Sequence, residues 1–241
     1  MTTPVVVIGG GRLGAAVARR AASEGRGVVV ASRNPRPHAG LWRRWDAEHP
    51  DSLPVVGARV VLTVPPCANR ETLVRTFWTD GAADVVVCTA AGVQVERTPH
   101  SAASTLTFGA LVGQDDGCLW PMITAVRAAA VVKLPRGYPR FAPLLLEDAA
   151  RAALLVGQGV TRTLPGPDTM TLEALAQAVI DRFGGRYAWR WWSGDVRYAA
   201  AWEGLGDEWE PAWGPRTTIP TWIDRLPGLR VRPREDRGRS H

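Results

Sequence analysis

Gly9, Gly11 and Gly14 are the residues of this chain whose spacing carries the clearest chemistry. Glycine at the first, third and sixth positions of a turn lets main-chain N–H groups close on a phosphate without a Cβ in the way, and a helix starting there aims its positive end at the same charge. Arg12 and Leu13, between the last two glycines, would flank a bound pyrophosphate. Further on, Ser32-Arg33-Asn34-Pro35 stands where a dinucleotide fold reads the adenosine ribose. A carboxylate at that point holds the 2′-hydroxyl of NAD, whereas an arginine accommodates the 2′-phosphate of NADP. No Asp or Glu lies between Glu24 and Asp46, while Ser32 offers a hydroxyl and Arg33 a planar fork of donors. NADP is therefore favoured over NAD, with a solvated loop arginine as the plainer reading of Arg33.

These residues need a particular scaffold. Val5-Val6-Val7-Ile8 is a buried strand running into the glycines, and Leu13, Ala16, Val17 and Ala21 fall at helical spacing behind them. Gly25 and Gly27 stop that helix before a second strand, Val28 to Ala31. Leu41, Trp42 and Trp45 predict a short amphipathic helix, and Pro50 and Pro54 bracket a turn. A strand from Arg59 to Val64 ends at Pro65-Pro66, a helix presents Leu73, Val74, Phe77 and Trp78, and a strand follows from Val85 to Cys88. Strands separated by helices of this length imply an α/β, Rossmann-type doubly wound parallel sheet. Ligands of such sheets lie outside the carboxyl ends of the strands, which adds Thr63, Val64 and Pro65, and Cys88 and Thr89, to the cofactor-binding candidates.

Composition narrows the class further. With 46% hydrophobic and 22% charged residues among 241, the chain reads as an ordinary globular protein. The start, Met1-Thr2-Thr3-Pro4, leads directly into a strand with no basic region before an apolar core, and no apolar run reaches the ~18 residues of a membrane helix. A cytoplasmic protein without a membrane partner is expected. Cys67, Cys88 and Cys118 are widely spaced, with no CxxC pair and no histidine at ligand spacing, so no metal site is expected. The net charge of +6 raises nucleic acid as a partner, but Lys133 is the only lysine among 29 basic residues and no recognised nucleic-acid module is visible. Arg230, Arg232, Arg234, Arg237 and Arg239 crowd the end of the chain, a tail over 229–241 that reads as disordered.

From Ser104 the chain runs Ser-Thr-Leu-Thr-Phe-Gly-Ala-Leu-Val-Gly-Gln-Asp-Asp-Gly, and Phe141 to Ala152 reads as a strand leading into a Glu-Asp-x-Ala helix start. Leu164-Pro165-Gly166-Pro167-Asp168-Thr169 then precedes a helix over Leu172 to Phe183, with Thr171 as its cap, Glu173 in its first turn and Gly184-Gly185 at its end. In this order, and behind the glycine turn, these segments resemble the extended and atypical short-chain dehydrogenase/reductases of epimerase-like and NmrA-like type. The resemblance spans residues 5 to about 185. It implies a cofactor domain over 1–125, with sheet elements continuing to about 165, and a small substrate-facing subdomain over 126–228.

The chain departs from that pattern at its catalytic centre. Such reductases carry a Tyr-x-x-x-Lys pair in which the lysine lowers the tyrosine pKa. None of Tyr138, Tyr187 and Tyr198 is followed four residues later by lysine, and the short span between Ala90 and Ser104 leaves little room for the helix that would carry the pair. Three residues are candidates to substitute. Thr89 stands where the family often has a catalytic serine, with binding of backbone or cofactor as its other role. His100 titrates in a useful range but also reads as a surface histidine. Lys133 follows an apolar run that would lower its pKa, unless it reaches solvent at a strand end. Trp189, Trp191, Trp192, Trp202, Trp209, Trp213 and Trp222 fall in the last quarter of the chain and suit a pocket, a homodimer contact or a plain core. The combined expectation is an NADP-binding oxidoreductase acting on a small organic, apolar carbonyl substrate. A non-catalytic NADP-binding sensor or structural protein, or a redox-neutral isomerase or cyclase, is the alternative.

Overall fold

The computed structural model describes residues 2–35, 39–46, 53–63, 70–90, 102–113, 119–127, 132–135, 140–184, 187–190, 214–215 and 217–226. The first half alternates strand and helix: β1 (Val5–Ile8), α1 (Arg12–Ser23), β2 (Val28–Ser32), β3 (Leu41–Arg44), β4 (Arg59–Leu62), α2 (Arg70–Thr79), β5 (Asp84–Ala90) and β6 (Ser104–Phe108). Then come β7 (Leu111–Val112), α3 (Leu119–Arg127), β8 (Val132–Pro135), β9 (Leu144–Leu145), α4 (Leu146–Leu155), β10 (Thr161–Leu164), α5 (Leu172–Phe183), β11 (Tyr187–Arg190) and α6 (Ile219–Arg225).

Seven strands form one parallel sheet in the order β10-β6-β5-β4-β1-β2-β3. The order reverses at β1, so the crevice of a doubly wound sheet opens at the carboxyl end of that strand, where the glycines begin. β1 is apolar at every position, and β4 and β5 are apolar through their middles, because both faces are covered. Val5, Val7, Val61, Val86 and Leu106 pack with Ala16, Val17 and Ala21 of α1 and with Ala149, Ala150 and Ala153 of α4. Val6, Ile8, Val60, Leu62, Val85 and Val87 face the other way, onto Leu73, Val74 and Phe77 of α2 and onto Trp45. The alanine-rich faces of α1 and α4 also let these two helices pack side by side.

One expected element takes a different form. The residues Leu41, Trp42 and Trp45, read as a helix from their spacing, belong to the extended stretch of β3, whose register runs from Val29↔Leu41 to Ser32↔Arg44. Spacing of one and four residues is shared by a helix face and by a twisted edge strand with one tryptophan on each side, and the unpaired backbone of β2 decides between them. Gly40 makes the approach feasible: its φ is +98°, and a Cβ there would stand 2.6 Å from the Val28 carbonyl oxygen. Leu41, Arg43 and Arg44 remain exposed on the open edge, and charged side chains there discourage pairing with another chain.

A third core joins Val112 and Leu145 to Met122, Ile123 and Val126 of α3, to α5, and to Ile219 and Ile223 of α6. Here α5 follows its sequence closely. The Thr171 hydroxyl accepts from the Ala174 amide at 3.2 Å, Leu172, Leu175, Ala176, Val179 and Phe183 are buried, and Gly184 ends the helix at φ +80°. The two cores interleave along the chain, since α3 contributes to this one while α4 and β10 return to the sheet. Among the described residues no helix is long and apolar enough to cross a membrane, and no group of His, Cys, Asp and Glu is placed to hold a metal ion.

Candidate functional site

The three glycines serve three separate ends. Gly9 leaves β1 at φ +109°, a left-handed turn that a side chain disfavours, and its amide donates to the Ala31 carbonyl at 2.8 Å. Gly14 allows contact between helix and strand: a Cβ there would lie 1.9 Å from the Gly9 carbonyl oxygen and 2.9 Å from the Thr63 hydroxyl. At Gly11 an added Cβ would meet nothing within 4 Å, so the need for glycine there is not imposed by the protein.

Gly11 is also the N-cap of α1, and it offers no side chain to the free amides of the first turn. That turn contains no acidic residue. Unpaired N–H groups, an uncompensated dipole end and open space beside the main chain together form an open cradle with the donors and charge that a phosphate requires. Arg12 is exposed and Leu13 half-buried at the mouth of this cradle. Thr63, just beyond β4, holds the turn in place. Its hydroxyl lies 3.1 Å from both the Ile8 and Gly9 carbonyl oxygens, and its amide donates to Ile8 at 2.8 Å. Thr63, expected from the sequence to contact a cofactor, is bonded through its hydroxyl to the turn itself.

At the end of β2 the Ser32 hydroxyl donates to the Asn34 carbonyl at 2.9 Å and accepts from the Trp42 indole N–H at 3.1 Å. Ser32 thus shapes the turn that presents Arg33 and Asn34, both exposed. Trp42 was not recognised as part of this end of the site. Trp42-Arg43-Arg44-Trp45 carries no alternating apolar pattern to signal it, since the two tryptophans take opposite faces of the strand.

Further along the sheet, Cys88 points into the core under α1 and α4, where burial pushes its thiol up to about 12. Thr89 is buried near the end of β5, in register with Thr107. Lys133 lies on β8, paired with Ala188 of β11 in a separate two-stranded sheet, and its side chain is outside the described residues. Val64, Pro65 and His100 also lie outside them, as do residues 91–101, where the shortened crossover was expected. The structure therefore assembles Gly9, Gly11, Gly14, Thr63, Ser32 and Arg33 along one end of the sheet, with Thr89 toward the same end of β5. Of the tryptophan-rich segment, the side chain of Trp222 is described, and it packs against the third core.

A largely buried ion pair sits at the opposite end of the sheet. Arg59, first in β4, meets Asp84, first in β5, at 2.6 Å. Its guanidinium also donates to the Val156 and Ala153 carbonyls at 2.9 and 3.3 Å, closing the C-terminal end of α4. Burial raises the Asp84 carboxyl more than Arg59 and the Val85 amide lower it, and burial lowers Arg59 despite Asp84 beside it. Lying opposite the glycines, the pair is structural.

Comparison with known proteins agrees with this geometry. The family model described as NADP oxidoreductase coenzyme F420-dependent matches residues 4–92, from the threshold of β1 through β5. No curated protein matches the chain. Among solved structures, UDP-glucose 4-epimerase from Thermotoga maritima is similar over 92% of this chain and 96% of its own, with a TM-score of 0.67 and 13% identity. UDP-N-acetylglucosamine 4-epimerase from Bacillus cereus gives a TM-score of 0.65 at 13% identity, covering 92% and 97% of the two chains. For dTDP-glucose 4,6-dehydratase from Bacillus anthracis, in complex with NAD, the TM-score is 0.66 at 12% identity, covering 92% and 94%. These structures share a Rossmann-type fold with this chain.

Proposed function

We propose that this protein is an NADP-dependent oxidoreductase that holds its dinucleotide along the carboxyl ends of β1, β2, β4 and β5. The observation that carries the reading is the phosphate cradle at α1: an open Gly11, an uncapped first turn, and Gly14 packed so closely on Gly9 that the helix must begin there. Gly9, Gly11 and the amides near Arg12, Leu13 and Gly14 would hold the pyrophosphate, and Arg33, turned outward by the Ser32 bond to Asn34, would hold the 2′-phosphate. When bound, the dinucleotide supplies hydride chemistry at its nicotinamide ring. Thr63 keeps the turn in its binding shape, and Thr89, next to last in β5, would bind or orient a substrate oxygen through its hydroxyl. The third core, built on α3, α5 and α6, faces the substrate in this reading, and the tryptophans beyond residue 188 supply apolar surface for a small organic carbonyl compound or a second subunit.

A second reading has its own support. The family match through β5 and the lack of a Tyr-x-x-x-Lys pair in the chain both suit hydride exchange with a deazaflavin coenzyme, because transfer between two hydride carriers leaves no carbonyl oxygen to protonate. Titration of the protein with NADPH and NADH, followed by stopped-flow oxidation of bound NADPH with ketones, enals, quinones and oxidised coenzyme F420, separates these readings. Oxidation by a carbonyl compound supports the first and oxidation by the deazaflavin the second. Tight binding without turnover leaves a non-catalytic NADP protein, and binding of neither dinucleotide overturns the proposal.

A further inference from the structure

We infer that Arg44, on the edge strand β3, is a second arginine of the 2′-phosphate site and sets, with Arg33, the preference for NADP(H) over NAD(H); this rests on the dinucleotide reading above. The register places Arg44 directly beside Ser32, the last residue of β2, across one strand spacing of about 4.8 Å. Alternation along the paired strands puts Trp42 and Arg44 on the face of Val30 and Ser32, the face that carries α1 and the glycine turn. The bond from the Trp42 indole to the Ser32 hydroxyl fixes that face by direct contact. Arg33 then follows the last residue of β2 while Arg44 ends β3, so two exposed arginines neighbour Ser32, one along the chain and one across the register.

Neither Arg33 nor Arg44 forms an ion pair with a carboxylate among the described residues, whereas Arg20, Arg26, Arg59, Arg75 and Arg151 each do. A phosphate monoester carries close to two negative charges at neutral pH, and two planar forks satisfy its oxygens better than one exposed arginine screened by salt. A ribose 2′-hydroxyl gains nothing comparable. Guarding the sheet edge is the competing role for charge on β3, and Arg43 serves it equally well while facing the opposite way, with Ala31. Arg43 is thus a matched control within the same strand.

The test is equilibrium titration of the full chain with NADPH and with NADH for the wild type, R33A, R43A, R44A and R44K. R44A is expected to raise the NADPH dissociation constant about tenfold, leave that for NADH within about twofold, and flatten the salt dependence of NADPH binding. R44K should recover part of the loss, as a point charge without the fork, and R43A should match the wild type. If R44A matches R43A while R33A loses NADPH selectively, the assignment of Arg44 is wrong and the NADP reading stands. If R44A weakens both dinucleotides equally, Arg44 acts on the fold and the assignment is likewise wrong. A wild type that binds NADH as tightly as NADPH overturns the NADP reading itself, and Arg44 with it.

Discussion

A Cβ at Gly14 would stand 1.9 Å from the carbonyl oxygen of Gly9, closer than any packed protein tolerates, while one at Gly11, three residues earlier, would touch nothing. The two positions separate what the fold requires from what a ligand requires. Gly14→Ala should cost about 2 kcal/mol of stability or more, because backbone must move to relieve the overlap, and should weaken dinucleotide binding by loosening the turn. Gly11→Ala should leave the melting temperature nearly unchanged, its φ of −70° being open to alanine, yet weaken NADPH binding by placing a methyl group in the phosphate cradle. Thermal melts and fluorescence titrations of both variants check this. Unweakened binding by Gly11→Ala would remove the ligand-based reason for that glycine.

Thr63 joins β4 to the glycine turn through one hydroxyl placed 3.1 Å from two carbonyl oxygens. Thr63→Val keeps the shape and deletes the donor, so about 1 kcal/mol of stability should be lost, with a parallel loss of NADPH affinity. Thr63→Ser should retain both. Chemical denaturation alongside titration distinguishes this from direct contact with the ligand, which would weaken binding at unchanged stability.

The legible parts of the chain were those where local pattern and tertiary environment agree. Val5 to Ile8 is apolar at every position because both faces of the sheet are covered, and Thr171, Glu173 and Gly184 mark α5 at both ends through short-range bonds. The strand β3 is hidden because its only partner among the described residues is β2: Leu41 and Arg43 are exposed, Trp42 is tied to Ser32 by an indole bond, and no alternating apolar face remains to read. Within the site, Gly9, Gly11 and Gly14 are legible because their spacing behind an apolar strand lies along the chain itself. The positioning role of Thr63 depends on contact across β1 and β4, which spacing along the chain does not encode.

At the far end of the sheet, Arg59 pairs with Asp84 and also closes the last carbonyls of α4, so the two partners are not equivalent. Asp84→Asn leaves the bonds to Ala153 and Val156, whereas Arg59→Met removes them and strands a buried carboxylate. Arg59→Met should therefore cost about 3 kcal/mol or more at neutral pH, and Asp84→Asn less. The pH dependence has a definite sign. Because the folded carboxyl is raised above its ordinary value, the folded state binds more protons just above pH ~4, and stability falls as pH rises through that window. Removing Arg59 raises the carboxyl further, so the Arg59→Met penalty should be larger at pH 7 than near pH 4. Denaturant melts at the two pH values measure the difference, and an equal penalty at both would show that Arg59 acts mainly through α4.

Cys88 provides the opposite end of the pH scale. Its thiol lies in the apolar layer between the sheet and the helices α1 and α4, and burial alone pushes it from an ordinary 9.0 to about 12. At physiological pH it is a neutral, enclosed group, so a maleimide should leave Cys88 unmodified in the folded protein and label it after denaturation, as peptide mapping by mass spectrometry would show. In alkali the unfolded chain ionises this thiol while the folded chain does not. The folded state then binds the extra proton, and stability should fall as pH rises above about 9, by up to about 1.4 kcal/mol per pH unit. Cys88→Ala loses some packing at every pH but should lack that slope. Urea midpoints for the two proteins should therefore converge between about pH 8.5 and about pH 10.5, and parallel curves would mean that the thiol ionises in place.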